Sequence, residues 1–217
     1  QLRLAPLGKG EAEELLTALL GDTVGATGRL PLHDLKQLIL EKTDGTPFFM
    51  EEVVQTLVEE GTLSGDRGQY HLAVAPTALQ IPPTVQGILA ARIDRLASEE
   101  KELLQQLSVV GRQFPVSLVN QVVTEPEDVL YRVLSALQAI EFLYEQPAFP
   151  ESEYLFKHAL TQDVAYGTVL QEQRRTLHER TGQALEVLYA EKLADHYSAL
   201  AHHYSQSRNT QKAVEYL

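Results

Sequence analysis

Seven histidines and no cysteine leave imidazole, carboxylate and hydroxyl groups as the residues that could do chemistry in this 217-residue chain. Without cysteine there is no disulfide framework and no thiolate zinc site. No Ser-His-Asp order and no His-Glu-x-x-His pattern occurs, so no residue is assigned as catalytic or as a metal ligand. His202 and His203 adjoin, but neighbours on a helix point about 100° apart and do not easily share a metal. The pattern G-x-x-x-x-G-K-[ST] is absent; "LGKGEAEEL" lacks both the loop length and the hydroxyl after lysine. No apolar strand ends in the paired acids that a magnesium site wants. The chain alone is therefore not expected to be an enzyme.

Two places remain. The first is Gly45-Thr46-Pro47, inside "LEKTDGTPFFMEEVVQTLVEEG". Gly45 can take the left-handed conformation that ends one helix, and Pro47 suits the first turn of the next. The result is a tight, rigid corner whose proline ring could face a purine; a plain corner is the simpler reading. The second is His158 in "EYLFKHAL", where a strand ends and a helix begins. Free N–H groups and partial positive charge at a helix start suit a phosphate. The simpler reading is a histidine that closes the junction.

Helices must position both. Periodic apolar residues predict helices over Glu11–Leu20, Pro31–Lys42 and Pro47–Glu60, with Leu15, Leu16 and Leu19, then Leu35, Leu38 and Ile39, then Val53, Val54, Leu57 and Val58 inward. "TLSGDRGQYHLAV" predicts a short hairpin. The uncharged run Leu72–Ala91 carries Pro76, Pro82 and Pro83 and reads as a connector rather than a membrane span. Beyond it, Thr84 is expected to cap a helix through Leu96. Ser98 caps the next, with Leu103, Leu104, Leu107 and Val110 as its stripe. Pro115–Val123 is a short helix, and Thr124 with Glu127 forms a capping box for another. "EFLYEQ" and "EYLFKH" then switch to strand, which predicts a winged-helix module over roughly residues 80–160.

Thirty acidic against eighteen basic residues give a net charge of −12, which disfavours general nucleic-acid binding. The densest basic spot is Arg174-Arg175, with His178 and Arg180 nearby. No signal peptide is visible, so a cytoplasmic location is expected. "QLRLAPL" looks like a strand that has lost its sheet. At the other end Tyr197, Leu200, Ala201, Tyr204, Ala213 and Leu217 follow the spacing of a tetratricopeptide repeat, which needs further repeats to bury its face. Both ends predict a middle portion of a longer protein.

Motif order along nearly the whole chain resembles the STAND proteins, signalling ATPases related to the AAA+ class, in their bacterial branch fused to nucleotide cyclases or LuxR-type regulators. The matching text is "LRLAPLGKGEAEELLTALLG", "EKTDGTPFFMEEVVQTLVEEG", "LQIPPTVQGILAARIDRLASEEKELLQQLSVVGRQFPVSLV", "EFLYEQ", "EYLFKHALTQDVAYGTVL" and "LAHHYSQSRNTQKAVEYL". The resemblance implies a mainly α chain. Residues 1–8 would be the last strand of a missing nucleotide-binding domain, 9–78 a helical lid subdomain, 79–160 a winged-helix domain with a short β-hairpin wing, and 161–217 a helical linker opening into repeats. It implies that Gly45, Thr46 and Pro47 form the family's GxP turn, whose proline lies against adenine; the middle residue is often Asn there and is Thr46 here. It implies that His158 reaches the β-phosphate of ADP. ADP or ATP with Mg would belong to the intact parent, an ATPase that can carry a nucleotide cyclase domain, and no nucleotide is expected to bind tightly to this part alone. Its partners would be the upstream nucleotide-binding domain and an output domain or protein reached through the tail. The alternatives are a protein-interaction scaffold built on helical repeats and, with less support, a DNA-binding winged-helix regulator; no membrane role is expected.

Overall fold

The computed structural model describes residues 7–21, 32–73, 82–149 and 151–217. The chain is mainly α, as expected. It divides into two compact units, Gln1–Arg92 and Ile93–Leu217. Apart from Leu7, the strand expected at the start lies outside the described residues, as do most of the loop after Gly21 and residues 74–81 of the connector.

In the first unit α1 (Lys9–Leu20), α2 (Leu32–Thr43) and α3 (Pro47–Glu59) enclose a core of Ala12, Leu16, Leu19, Leu20, Leu35, Ile39, Met50, Val53 and Leu57. Leu15, Leu38 and Val58, expected inward, are only half-buried. Each fully buried leucine contributes roughly 1.5–3 kcal/mol through removal of apolar surface from water. The expected hairpin forms from β1 (Leu63–Ser64) and β2 (His71–Leu72), antiparallel, with Leu63 opposite Leu72. Gly21, at φ +94°, closes α1 against this segment. A Cβ there would stand 2.2 Å from the carbonyl oxygen of Gly68, so no other residue fits. α4 (Val85–Asp94) starts where Thr84 Oγ1 accepts a hydrogen bond from the Gly87 amide at 3.1 Å.

The second unit runs α5 (Ser98–Val110), β3 (Gln113–Pro115), α6 (Val116–Val122), α7 (Glu127–Ala139), β4 (Leu143–Gln146) and β5 (Glu153–Phe156). Its three strands form one antiparallel sheet in the order β3-β5-β4. The hairpin β4–β5 was expected; β3 was not. Phe114 of β3 pairs with Tyr154 and meets Phe156 edge-on, with ring centroids 6.3 Å apart. Two caps also differ from expectation. The residue before α5 is Ala97, and its amide donates to the Glu100 carboxylate at 3.2 Å, so Ser98 is already inside the helix. Before α7 stands Pro126, without a side-chain cap. The Thr124 amide instead donates to Glu125 Oε2 at 2.9 Å.

α8 (Ala159–Thr168) and α9 (Gln171–Leu188) follow, then a 3₁₀ segment, Ala190–His196, and the helices α10 (Tyr197–Gln206) and α11 (Thr210–Glu215). Four of the six tail positions expected to face inward do so: Leu200, Ala201, Tyr204 and Ala213. Tyr197 is 44% exposed and Leu217 95% exposed. α9 and α10 approach closely because Gly182 has no side chain. A Cβ there would meet the Tyr204 ring at 2.8–3.0 Å. Among the described residues no helix is long and apolar enough to cross a membrane.

Candidate functional site

Gly45, Thr46 and Pro47 form the corner between α2 and α3. Asp44 and Gly45 both lie in the left-handed region, at φ +47° and +67°. Two such residues in succession reverse the chain sharply. The Thr46 amide donates to the Thr43 carbonyl at 2.9 Å, and the Thr46 carbonyl accepts from the Met50 amide at 3.0 Å. Pro47 takes the first position of α3, where its missing N–H costs nothing. The corner is also tied from outside: the Leu7 amide donates to the Gly45 carbonyl at 3.0 Å. Gly45 is buried, while Thr46 and Pro47 are half-buried.

Arg92, not singled out by sequence, is almost fully buried in the same unit. Its Nε donates to both oxygens of Glu59 at 3.1 Å, Nη2 donates to Glu59 Oε1 at 2.6 Å, and Nη1 donates to Glu52. Burial opposes the charge on Arg92. The Glu59 hydrogen bond and the two carboxylate charges outweigh burial and raise its pKa. α4 is thereby fixed to α3 by a charged clasp. The signal in sequence was weak: one arginine in the apolar text "GILAARID" and glutamates seven residues apart on α3.

His158 belongs to the second unit, so the corner and this histidine are described separately. It is the residue before α8, extended at φ −138°, and its carbonyl accepts from the Thr161 amide at 3.1 Å. The imidazole is half-buried. Burial, then the charges of Lys157 and Arg112, push its pKa down to about 4. At neutral pH it is an uncharged ring, and its Nε2 is buried. Lys157 is ion-paired with Glu141.

A second histidine group is built from α9 and α10. His203 is buried and its Nδ1 lies 2.9 Å from Nδ1 of His178, also buried. His178 Nε2 lies 3.1 Å from the Tyr166 hydroxyl. A hydrogen bond to the Val110 backbone favours a proton on His203. With that N–H on the carbonyl, His203 Nδ1 accepts, His178 Nδ1–H donates to it, and His178 Nε2 accepts from Tyr166. Every partner is then satisfied with both rings neutral. Burial, then neighbouring His202 and Arg174, push His178 down to about 4; burial, then His178 and His202, push His203 to about 3. The exposed His202 ring meets His178 edge-on, with centroids 5.7 Å apart. Sequence spacing placed His202 and His203 on diverging directions, and the fold brings a third ring, His178, against both. These rings line a cleft of about 860 Å³ together with Asp163, Asp195 and Gln162. Among the described residues no group of three potential ligands is arranged to hold a metal.

A scan against protein-family models finds no match. The chain is similar to an uncharacterized protein of Rhizobium meliloti (strain 1021), with 27% identity over 186 residues. The match covers 83% of this chain and 16% of that protein's length. The chain thus corresponds to about a sixth of the relative it matches.

Proposed function

We propose that this chain is the lid and winged-helix portion of a nucleotide-dependent signalling ATPase of the STAND class, cytoplasmic, which senses ADP against ATP and relays the state to an output domain. The observation that carries the reading is the corner at Gly45: two left-handed residues, a proline at the first helical position and a backbone bond to Leu7. That construction holds one apolar ring at a fixed place, as contact with a base requires. The order α5-β3-α6-α7-β4-β5 with a β3-β5-β4 sheet supports a winged helix for residues 98–156. His158, the residue before α8, is a neutral imidazole at pH 7, and a ring N–H suits a phosphate oxygen.

In this account the corner and His158 close over ADP bound to an upstream domain. A histidine–phosphate hydrogen bond contributes about 1.5–3 kcal/mol, enough to bias closure but not to fix it alone. The upstream domain, expressed separately, should associate with this chain at least about tenfold more tightly with ADP than with ATP. Equal association in both nucleotides would count against the switch.

DNA binding has less support. In winged-helix order the third helix is α7, which opens with Glu127 and Asp128, and whose Arg132 is paired with Glu99 at 2.6 Å. Such a face repels a phosphate backbone. A scaffold role through α9–α11 is compatible with the switch.

A further inference from the structure

Against a net charge of −12, one cleft of the second unit gathers positive charge. It encloses about 650 Å³ between the start of α9 and the turn joining α10 to α11. Arg174 and Arg175 reach it from α9 and Arg208 from the turn, with Gln171, Gln206 and Thr210 adding amide and hydroxyl groups. None of the described residues that line it is Asp or Glu.

The three guanidinium groups are not equivalent. Arg174 is committed: Nε donates to the Val169 carbonyl at 2.8 Å, Nη2 to the Gly167 carbonyl at 2.9 Å, and the group lies 4.4 Å from the centre of the Tyr166 ring. It forms a fixed positive wall. Arg175 and Arg208 share one carboxylate, Glu172, through Arg175 Nη1 at 3.3 Å and Arg208 Nη2. Both are exposed, and each guanidinium has five N–H donors in a planar fork suited to two oxygens of an oxyanion. One carboxylate against two guanidinium groups leaves donors and charge in excess. At the same end of α9 the preceding residue, Leu170, offers no side-chain acceptor to the first-turn amides.

We propose that this cleft binds a phosphoryl group, carried by inorganic phosphate, pyrophosphate or a small phosphorylated molecule, held by Arg175 and Arg208, with Glu172 as the internal competitor that the anion displaces. Bidentate charge-assisted hydrogen bonds supply the recognition. The cleft is larger than phosphate itself and admits a small molecule attached to it. The site is independent of the corner at Gly45 and of His158, so it stands or falls separately from the switch.

The 217-residue chain titrated calorimetrically with phosphate and with pyrophosphate tests this, with chloride at matched ionic strength as control. Saturable binding is expected, stronger for pyrophosphate. Arg175→Gln and Arg208→Gln should each weaken it by about fivefold or more. Glu172→Gln should tighten it by about threefold or more, because the competing carboxylate is gone. That increase separates an anion site from a merely structural ion pair, which would give no binding to improve. All three side chains are exposed, so the variants should keep wild-type circular dichroism. No saturable binding of either anion, binding that both arginine variants leave unchanged, equal displacement by chloride, or weakening by Glu172→Gln would overturn the assignment.

Discussion

The amide of Leu7 donates to the carbonyl of Gly45 at 3.0 Å, and the carbonyl oxygen of Leu7 lies 2.8 Å from where a Cβ on Gly45 would stand. Gly45 is thus constrained twice, by a left-handed φ and by a backbone that leaves no room for a side chain. Leu7 is thereby fastened to the corner that contains Pro47.

Gly45→Ala should therefore destabilise the first unit by about 2 kcal/mol or more, combining a positive-φ penalty with a backbone clash. Hydrogen exchange at the amides of α2 and α3 reads this directly. Faster exchange confined to that unit is the expected result.

Arg92→Met should cost about 3–5 kcal/mol, because it strands Glu52 as a buried charge without its guanidinium. Adding Glu52→Gln should recover part of the loss. Denaturant unfolding of the single and double variants measures it, with a non-additive cycle as the outcome.

The neutral pair His178–His203 makes the second unit acid-sensitive. Both groups have folded pKa values below the ordinary histidine value of 6.5, at about 4 and about 3. Below pH 6.5 the unfolded chain takes up protons that the folded chain refuses. Stability is fully present above 6.5 and falls as pH drops toward 4. The slope is about 1.4 kcal/mol per pH unit for each such proton. His203→Asn, which cannot titrate but keeps a hydrogen-bonding group, should make the fall in thermal stability between pH 6.5 and 4 shallower by one proton's share, leaving the shares of His178 and His158.

Local patterns were legible in the sequence, and non-local partners were not. The stripe Leu103, Leu104, Leu107 and Val110 is readable because a helix repeats within a few residues, and all four are buried. The corner at Gly45-Thr46-Pro47 is readable for the same reason. β3 escaped notice because three residues hold no period, and its partner β5 lies about forty positions later. The cap at Ala97 was hidden because Ser98 has the better capping side chain, while Glu100 does the capping. Arg92 with Glu52 and His178 with His203 are pairs made by helix packing, and nothing in the spacing of either announces the other. The basic text Arg174-Arg175 was visible, but Arg208 joins it only through the turn after α10.

The switch is tested most directly by the release rate of a fluorescent ADP from the intact parent protein, wild type against His158→Ala. A lost charge-assisted hydrogen bond predicts release faster by about tenfold or more, with output raised in the absence of inducer. Unchanged release and unchanged output would contradict it.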